Sequence, residues 1–517
     1  MRRHPLPSVR TSPRRPLLTA TLAVAMTAAT GIAQNLDLDK VGGALGANLT
    51  LPIQGQPNEA YALLFDIQET PTALPQLGIT LDISDQFAWF TQGAPGWLGS
   101  TDANGDATPG IVVPNLPFLS DFVLSFQAIG GSTGAWRVSN LVRVTLQSGG
   151  SFVPALNAPA VPIAGGGVVA QDNAEFLFVG GSGPAAQRYL SRTEEWELAG
   201  ATFGVGLLSQ STVLDDGRVL FTGGLDLATG QPTDAAAIYD PATQVTTQLT
   251  MSSARAGHGS SLLGNGRVLV SGGLLAFDIN NPLSLLTGIQ NTTEIFDPTT
   301  DTFVAGPNML EARALHTSTT LTDGRVLIAG GVTLLPIVNI PTVSSTAYLF
   351  NPNNNSFGLP SFFPGARLLH SATALDNGRV LLCGGLSLDL TAFLQSGNIQ
   401  DIVVATRDDC LVFTPGFFGT FASVPGMQVG RAGAALAPLP NGGALIAGGF
   451  QLTLDLATNT FVAEATETAD VFSQGPNTVA PTGSMAAARL FPVTSNLPDG
   501  TILILGGGPL EAEIYQR

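Results

Sequence analysis

Lysine is nearly missing from this chain: Lys40 is the single one among 517 residues, and charged residues of all kinds make up only 11 %. A body so poor in cations, with 38 acids, repels phosphate backbones, which excludes nucleic acid as a natural partner. Cysteine is scarce too. Two residues, Cys383 and Cys410, can make one bridge but not a disulfide scaffold or a four-thiolate metal site. No segment beyond the N-terminal region is long and apolar enough to span a bilayer, so no membrane insertion is expected. What is plentiful is glycine, 61 residues, with 35 prolines and a high content of Leu, Ile and Val. That mixture suits a turn-dense all-β protein and not a disordered chain.

Five arginines (Arg2, Arg3, Arg10, Arg14 and Arg15) precede an apolar stretch at 17–29, followed by the small residues Gly31, Ile32 and Ala33. This reads as a secretory signal over residues 1–33, removed near Ala33. The pair Arg14-Arg15 leaves the twin-arginine route open beside the general one. Removal leaves 16 of the 21 basic residues against 38 acids, a net charge of −22. A secreted or cell-envelope location is the expectation.

Seven times the chain writes a short apolar run and then a double glycine. The pairs are Gly180-Gly181, Gly223-Gly224, Gly272-Gly273, Gly330-Gly331, Gly384-Gly385, Gly448-Gly449 and Gly506-Gly507, spaced by 43 to 64 residues. A turn dipeptide precedes six of them: Asp216-Gly217, Asn265-Gly266, Asp323-Gly324, Asn377-Gly378, Asn441-Gly442 and Asp499-Gly500. Asn-Gly and Asp-Gly suit a two-residue type I′ hairpin, so a first strand is expected to turn back into the buried run. After the double glycine comes a loop of variable length. A third strand then ends in an aromatic: Tyr189, Tyr239, Phe296, Phe350, Phe413, Phe472 and Tyr515. Seven residues further on, Trp196, Phe303 and Phe357 open a fourth strand. One such unit cannot bury both faces without neighbours, which is the logic of a β-propeller.

An apolar run, a double glycine, Tyr, six residues and Trp together resemble the kelch motif, over about residues 150–517. The resemblance implies a seven-bladed kelch-type propeller at 149–517, preceded by a small β-sandwich-like domain at 34–148. Closure is expected by strand exchange, because the seventh unit stops after its third strand while Phe152 sits in a segment that reads like a fourth. Kelch propellers are mostly interaction platforms; a minority are galactose-oxidase-like copper enzymes.

In the N-terminal region, strand-like runs at 47–52, 60–67, 77–83, 110–113, 122–128 and 136–146 alternate with Gly, Pro, Asn and Asp clusters. The stretch around Asp102, Asn104, Gly105 and Asp106 resembles the hairpin of an accessory β-domain in exported bacterial proteins. It also echoes the first ligands of a calcium loop, but Val113 stands where the bidentate Glu belongs, so a plain Asn-Gly turn is expected. Gly130, Ser132 and Gly134 match G-x-S-x-G without the helix a nucleophile elbow needs.

Arg255, Arg313, Arg367, Arg431 and Arg489 recur at the start of the first strand, the strand that lines the channel, and are candidates for a channel-mouth binding site. Three residues on stand His258, His316 and His370, replaced by Ala434 and Pro492 in the last two units. A ring of imidazoles around a metal is one reading. The other is a structural repeat in which each arginine braces an acid such as Glu294 or Glu513. Equivalent positions in adjacent blades stand about 10 Å apart, too far to share an ion with ~2 Å bonds. The structural reading is preferred, and no metal or cofactor is expected. Copper-radical chemistry needs two tyrosines, two histidines and a cysteine converging on the axis. Here Tyr189, Tyr239 and Tyr515 occupy the third-strand aromatic position, with Tyr348 two residues before another, and Tyr61 lies outside the propeller. The cysteines fall on adjacent strands of one blade, where a disulfide is expected.

The expectation is therefore a monomeric, non-enzymatic exported binding or scaffold protein. It would recognise a protein or glycan through the Leu-, Ile- and Val-rich loops at 274–291, 332–344 and 386–402. A divergent galactose-oxidase-like or carbohydrate-active enzyme is the alternative.

Overall fold

The computed structural model describes residues 36–84, 96–132, 135–156, 158–160, 167–170, 175–179, 185–202, 206–226, 228–276, 288–334, 340–439, 442–458, 460–509 and 512–516. The signal expected at 1–33 and the pair Gly180-Gly181 lie outside them. The chain forms two compact units, divided between Ser148 and Gly149.

In the first unit, Ala60–Asp66 is a central strand, paired with Val123–Ser132 on one side and Leu98–Ser100 on the other. Its side chains alternate between two apolar cores. Tyr61 and Leu63 join Leu38, Leu49, Ile53, Trp97 and Phe126, whereas Ala62 and Leu64 join Leu81, Ile83 and Ile129. Burial on both faces explains why the run is continuously apolar instead of alternating. Two small three-stranded sheets supply Leu38, Leu49 and Ile53, so the unit is built by sheet-on-sheet packing. Gly130 and Ser132 lie on a strand that turns back into Ala135–Val138, with no helix following.

The second unit is an all-β propeller. Among the described residues it holds seven antiparallel sheets in a ring, six of four strands and one, the fourth, with Ser361–Phe362 as an additional strand. The first comprises Gly167–Ala170, Glu175–Val179, Ala185–Leu190 and Glu195–Thr202; the second, Gln210–Val213, Val219–Thr222, Ala235–Asp240 and Val245–Thr250. The third comprises Gly259–Leu262, Val268–Ser271, Thr293–Asp297 and Thr302–Ala305; the fourth, Thr317–Thr320, Val326–Ala329, Thr346–Asn351 and Ser356–Phe357. Ser371–Ala374, Val380–Cys383, Cys410–Thr414 and Thr420–Val424 make the fifth, and Ala435–Leu439, Gly443–Ala447, Ala469–Ser473 and Thr478–Pro481 the sixth. The seventh takes Val493–Asn496, Ile502–Leu505 and Glu513–Gln516 from the C-terminal end and Ser151–Pro154 from far upstream. The first strands touch one another in sequence, and that of the seventh sheet touches that of the first, which closes the ring.

Packing between blades dictates the buried runs. In Val326–Ala329, Leu327 and Ala329 join Val380 and Leu382 of the next blade, while Val326 and Ile328 join Leu269 and Ile295 of the preceding one. Successive side chains of a strand point to opposite faces, so a blade sandwiched between two others is apolar at every position. Four third-strand aromatics meet a fourth-strand aromatic, Tyr189 with Trp196, Phe296 with Phe303, Phe350 with Phe357 and Phe413 with Phe421, at 4.9–5.1 Å between ring centroids, whereas Tyr239 stands opposite Thr246 and Phe472 opposite Val479.

The hairpins differ from the type I′ expectation. In the second blade Gly217 N donates to Leu214 O and Leu214 N to Arg218 O, a three-residue loop in which only the glycine has positive φ. The same pattern recurs from Leu263 to Arg267, Leu321 to Arg325, Leu375 to Arg379 and Leu497 to Thr501. This is a type I turn closed by a glycine bulge, so Asp216 and Asn265 keep ordinary φ. Their carboxylate or amide oxygens instead accept backbone N–H groups two residues on.

Candidate functional site

The arginines sit at the joints of the ring. None belongs to the first strand itself; each lies four residues or so ahead of it, in the segment leading from the preceding blade. The Arg255 carbonyl accepts the Gly224 amide of the second blade at 2.9 Å, and its Nη1 donates to the Gly272 carbonyl of the third at 2.8 Å. Arg313, Arg367, Arg431 and Arg489 repeat both bonds, with the carbonyl accepting from Gly273, Gly331, Gly385 and Gly449. Their Nη1 groups donate to Gly330, Gly384, Gly448 and Gly506. The double glycine is required here sterically. Gly272 has φ +62°, and a Cβ on it would stand 2.2 Å from the Arg313 carbonyl oxygen.

All five guanidinium groups are buried at 1 % exposure or less. Arg255, Arg431 and Arg489 pair with Glu294, Asp470 and Glu513, each two residues before the third-strand aromatic, at 2.7, 2.7 and 3.0 Å. In the fourth and fifth blades that position is Tyr348 and Leu411, and the countercharge comes from elsewhere. Arg313 pairs with Glu311 and lies over the Tyr348 ring, 4.7 Å from its centroid. Arg367 pairs with Asp409. Burial depresses the pKa of Arg255, Arg313, Arg367 and Arg431, and the acids only partly offset it. Burial likewise raises that of Asp470 against the pull of Arg431.

The three imidazoles bridge neighbouring blades. His258 Nε2 bonds the Thr222 hydroxyl at 2.8 Å, and His316 Nε2 bonds that of Ser271 at 3.1 Å. Thr222 and Ser271 both directly precede a double glycine. The fourth blade has Ala329 there, and His370 turns to the Thr317 hydroxyl at 2.9 Å instead. Burial, reinforced by the adjacent arginine, brings His316 down to about 3, and His258 and His370 are shifted well below their ordinary value for the same reasons. All three are neutral at ordinary pH.

A feature the sequence reading missed lies two residues after each arginine. Gly257, Leu315, Leu369, Gly433 and Phe491, with Leu208 in the second blade, all have φ between +47° and +61°. Their backbones form a collar: Gly257 N donates to Leu208 O, Leu315 N to Gly257 O, Leu369 N to Leu315 O and Gly433 N to Leu369 O. For leucine or phenylalanine this backbone costs about 1–2 kcal/mol each. Leu315 covers Gly257, and Phe491 covers Gly433, where an added Cβ would meet them at 2.6 and 2.5 Å. The glycines at 257 and 433 were the available signal, since they alternate with bulky residues at one repeat position. Collar, imidazoles and the hydroxyls of Ser211, Ser260 and Thr494 line an axial cavity of about 860 Å³ whose described lining has no acidic or basic side chain beyond the neutral imidazoles.

Of the segments expected as recognition loops, 277–287 and 335–339 lie outside the described residues, and 386–402 contains the short helix Thr391–Ser396; the remaining ends form hairpins. Val332–Leu334 pairs with both Arg313–Ala314 and Pro341–Val343; Leu386–Asp389 pairs with Val403–Thr406, and Phe450–Asp455 with Thr460–Ala465. Leu274 bridges Ala256 and Ile289 in the same way. Leu274, Ile289, Val332, Val343, Leu386, Ile402 and Phe450 are buried in one shared core with Leu315 and Leu368. Their apolar content therefore serves packing, which removes the reason for reading it as a contact surface. The face they leave outward carries Leu394, Val403 and Leu456, at 47, 62 and 64 % exposure.

Cys383 and Cys410 form a disulfide across directly opposed strand positions, Cα to Cα 4.1 Å. Asp102 Oδ1 accepts the amides of Asn104 at 2.7 Å and Asp106 at 3.0 Å, the geometry of a self-closed turn. Among the described residues no three His, Cys, Asp or Glu side chains converge as metal ligands. The donor set does not fit a copper-radical centre. Both cysteines are consumed by their bridge, Tyr189, Tyr239, Tyr348 and Tyr515 are buried within blades, and each imidazole Nε2 is engaged by a hydroxyl.

No protein-family model matches the chain, and no curated protein does. Among solved structures it is similar to a copper-bound fungal alcohol oxidase of the AA5 family, described as having catalytic diversity. The identity is 15 % and the TM-score 0.36, over 61 % of this chain and 74 % of that one. At that distance no residue role passes from the oxidase to this chain.

Proposed function

We propose that this is an exported, non-catalytic binding protein, a seven-bladed kelch-type propeller that recognises a protein or glycan through the hairpin layer around one end of its channel. One observation carries the reading: the insertions after the double glycines of four successive blades share a single apolar core, so they form a rigid platform and not a set of independent loops. Function is commonly mounted on such a supported surface above a fixed scaffold. The arginines serve as braces in this reading, because their Nη atoms are bonded within and between blades and all five side chains are buried. A location outside the cytoplasm suits the disulfide, which persists in an oxidising compartment.

The test is retention of the protein on candidate proteins and glycans immobilised in an array, comparing wild type with Val403→Glu and Leu456→Glu. Both side chains are exposed and lie outside the core. Loss of retention with unchanged melting supports the platform; retention by both variants refutes it. Copper analysis of the purified protein separates the enzyme alternative, since one bound copper per chain with oxidase turnover would establish it.

A further inference from the structure

The outer rim of the fourth and fifth blades carries a patch unrelated to the platform. In the fourth blade the outer strand is broken: Ser356–Phe357 and Ser361–Phe362 both pair with Thr346–Asn351, and 358–360 bulges between them. The break turns Leu359 and Phe362 outward, at 65 and 73 % exposure. In the fifth blade the turn after Cys410–Thr414 presents Phe417 at 89 % and Phe418 at 49 %. The two features are joined. Ser361 Oγ donates to the Phe418 carbonyl, and strand Ser361–Phe362 lies against Thr420–Val424. Phe417 and Phe418 themselves meet edge to face at 4.7 Å and 87°.

These four side chains expose roughly 600 Å² of apolar surface, the upper end for the largest patch on a monomer. Neither 359–363 nor 414–420 contains a charged residue. We infer that this patch is a self-association surface, on which a second copy of the chain docks through a twofold axis. Three arguments favour a second copy over a foreign partner. Burying the patch on both copies removes roughly 1,200 Å², the lower limit for a specific interface. Aromatic rings are self-complementary in edge-to-face contact, as Phe417 and Phe418 already show. The chain's strong negative charge steers any cationic partner to its acids elsewhere, whereas a patch whose adjoining charges, Arg325 at the Gly416 carbonyl and Asp323, are paired with each other is one place where two acidic copies can meet without close repulsion.

Sedimentation equilibrium of the exported protein at about 0.15 M salt tests this. Wild type should show a monomer–dimer equilibrium with a midpoint in roughly the 10–100 micromolar range, as befits an interface of minimal size. Phe417→Ser and Phe362→Ser should each raise that midpoint at least tenfold while leaving the melting temperature of dilute protein unchanged. A wild type that stays monomeric to several hundred micromolar overturns the inference, and so does an unaltered midpoint in both variants. Equally, binding of neutral polysaccharide or phosphatidylcholine vesicles that both substitutions abolish, in a protein that never dimerises, would assign the patch to that ligand instead.

Discussion

Phe152 stands directly opposite Tyr515 in an antiparallel pair, their rings 4.9 Å apart, although nearly the whole propeller separates them in the chain. The strand Ser151–Pro154 thus supplies the fourth strand of the seventh sheet, and Val153 joins Leu503, Leu505 and Ile514 in one core. These four residues, with Gly150 and Ala155 bonded on either side of them, complete the seventh sheet.

Removing residues 149–155 should therefore weaken the entire propeller. Loss of a buried valine and the Phe152–Tyr515 contact corresponds to about 3–6 kcal/mol of apolar burial. Calorimetry should show the propeller transition moved down as one unit. A truncated chain starting at Asn157 whose propeller melts like the full-length protein's would mean that closure does not depend on this strand.

Arg255→Ala leaves Glu294 buried without its partner, which should cost about 3–5 kcal/mol. Arg313→Ala should cost less, because Glu311 is about a quarter exposed and can be hydrated. Urea titration ranks the two directly. Neither substitution should change the retention measured on the hairpin platform, and a fully stable variant that loses retention would instead make the arginines a binding site.

The disulfide closes a loop that includes the hairpin of Leu386–Asp389 and Val403–Thr406. With a sequence separation of 27, the chain-entropy model assigns it about 3–4 kcal/mol. The double variant Cys383→Ala/Cys410→Ala should lose stability of that order in equilibrium unfolding. Mass spectrometry of unreduced protein should show both thiols absent, and free thiols would contradict the bridge.

Acid should destabilise the fold through the three histidines. Their folded pKa values lie far below the unfolded value of about 6.5, so the unfolded state binds protons that the folded state refuses. Stability is complete above about pH 6.5 and is lost as pH falls toward the folded value, about 3 for His316, which burial sets, with Arg255, Arg313 and Arg367 adding repulsion. Between pH 7 and 5 the loss through His316 is about 2 kcal/mol, and His258 and His370 add to it in the same direction. A triple substitution of His258, His316 and His370 by Gln, which can still bond the hydroxyls, should flatten the profile over that range. A profile as steep as wild type would place the acid sensitivity in the carboxylates.

Within-blade order was legible in the sequence because it is local. Strand alternation, glycine turns and the aromatic offset all act over fewer than ten residues, and they locate the strands, the sheets and the closing role of Phe152. The disulfide was legible for the same reason, since Cys383 and Cys410 hold equivalent slots on neighbouring strands. Three things were decided only in three dimensions. Glu311 and Asp409 replace the absent acid of their blades, and His370 finds Thr317 where Ala329 has no hydroxyl, because a buried charge or imidazole takes whatever partner the neighbouring blade brings within reach. The left-handed collar residues Leu208, Leu315 and Leu369 defy local preference and are held by bonds between blades. The apolar insertions turned inward to a common core while Phe417 stayed in solvent, a choice set by which surfaces the ring brings together, and no spacing along the chain encodes it.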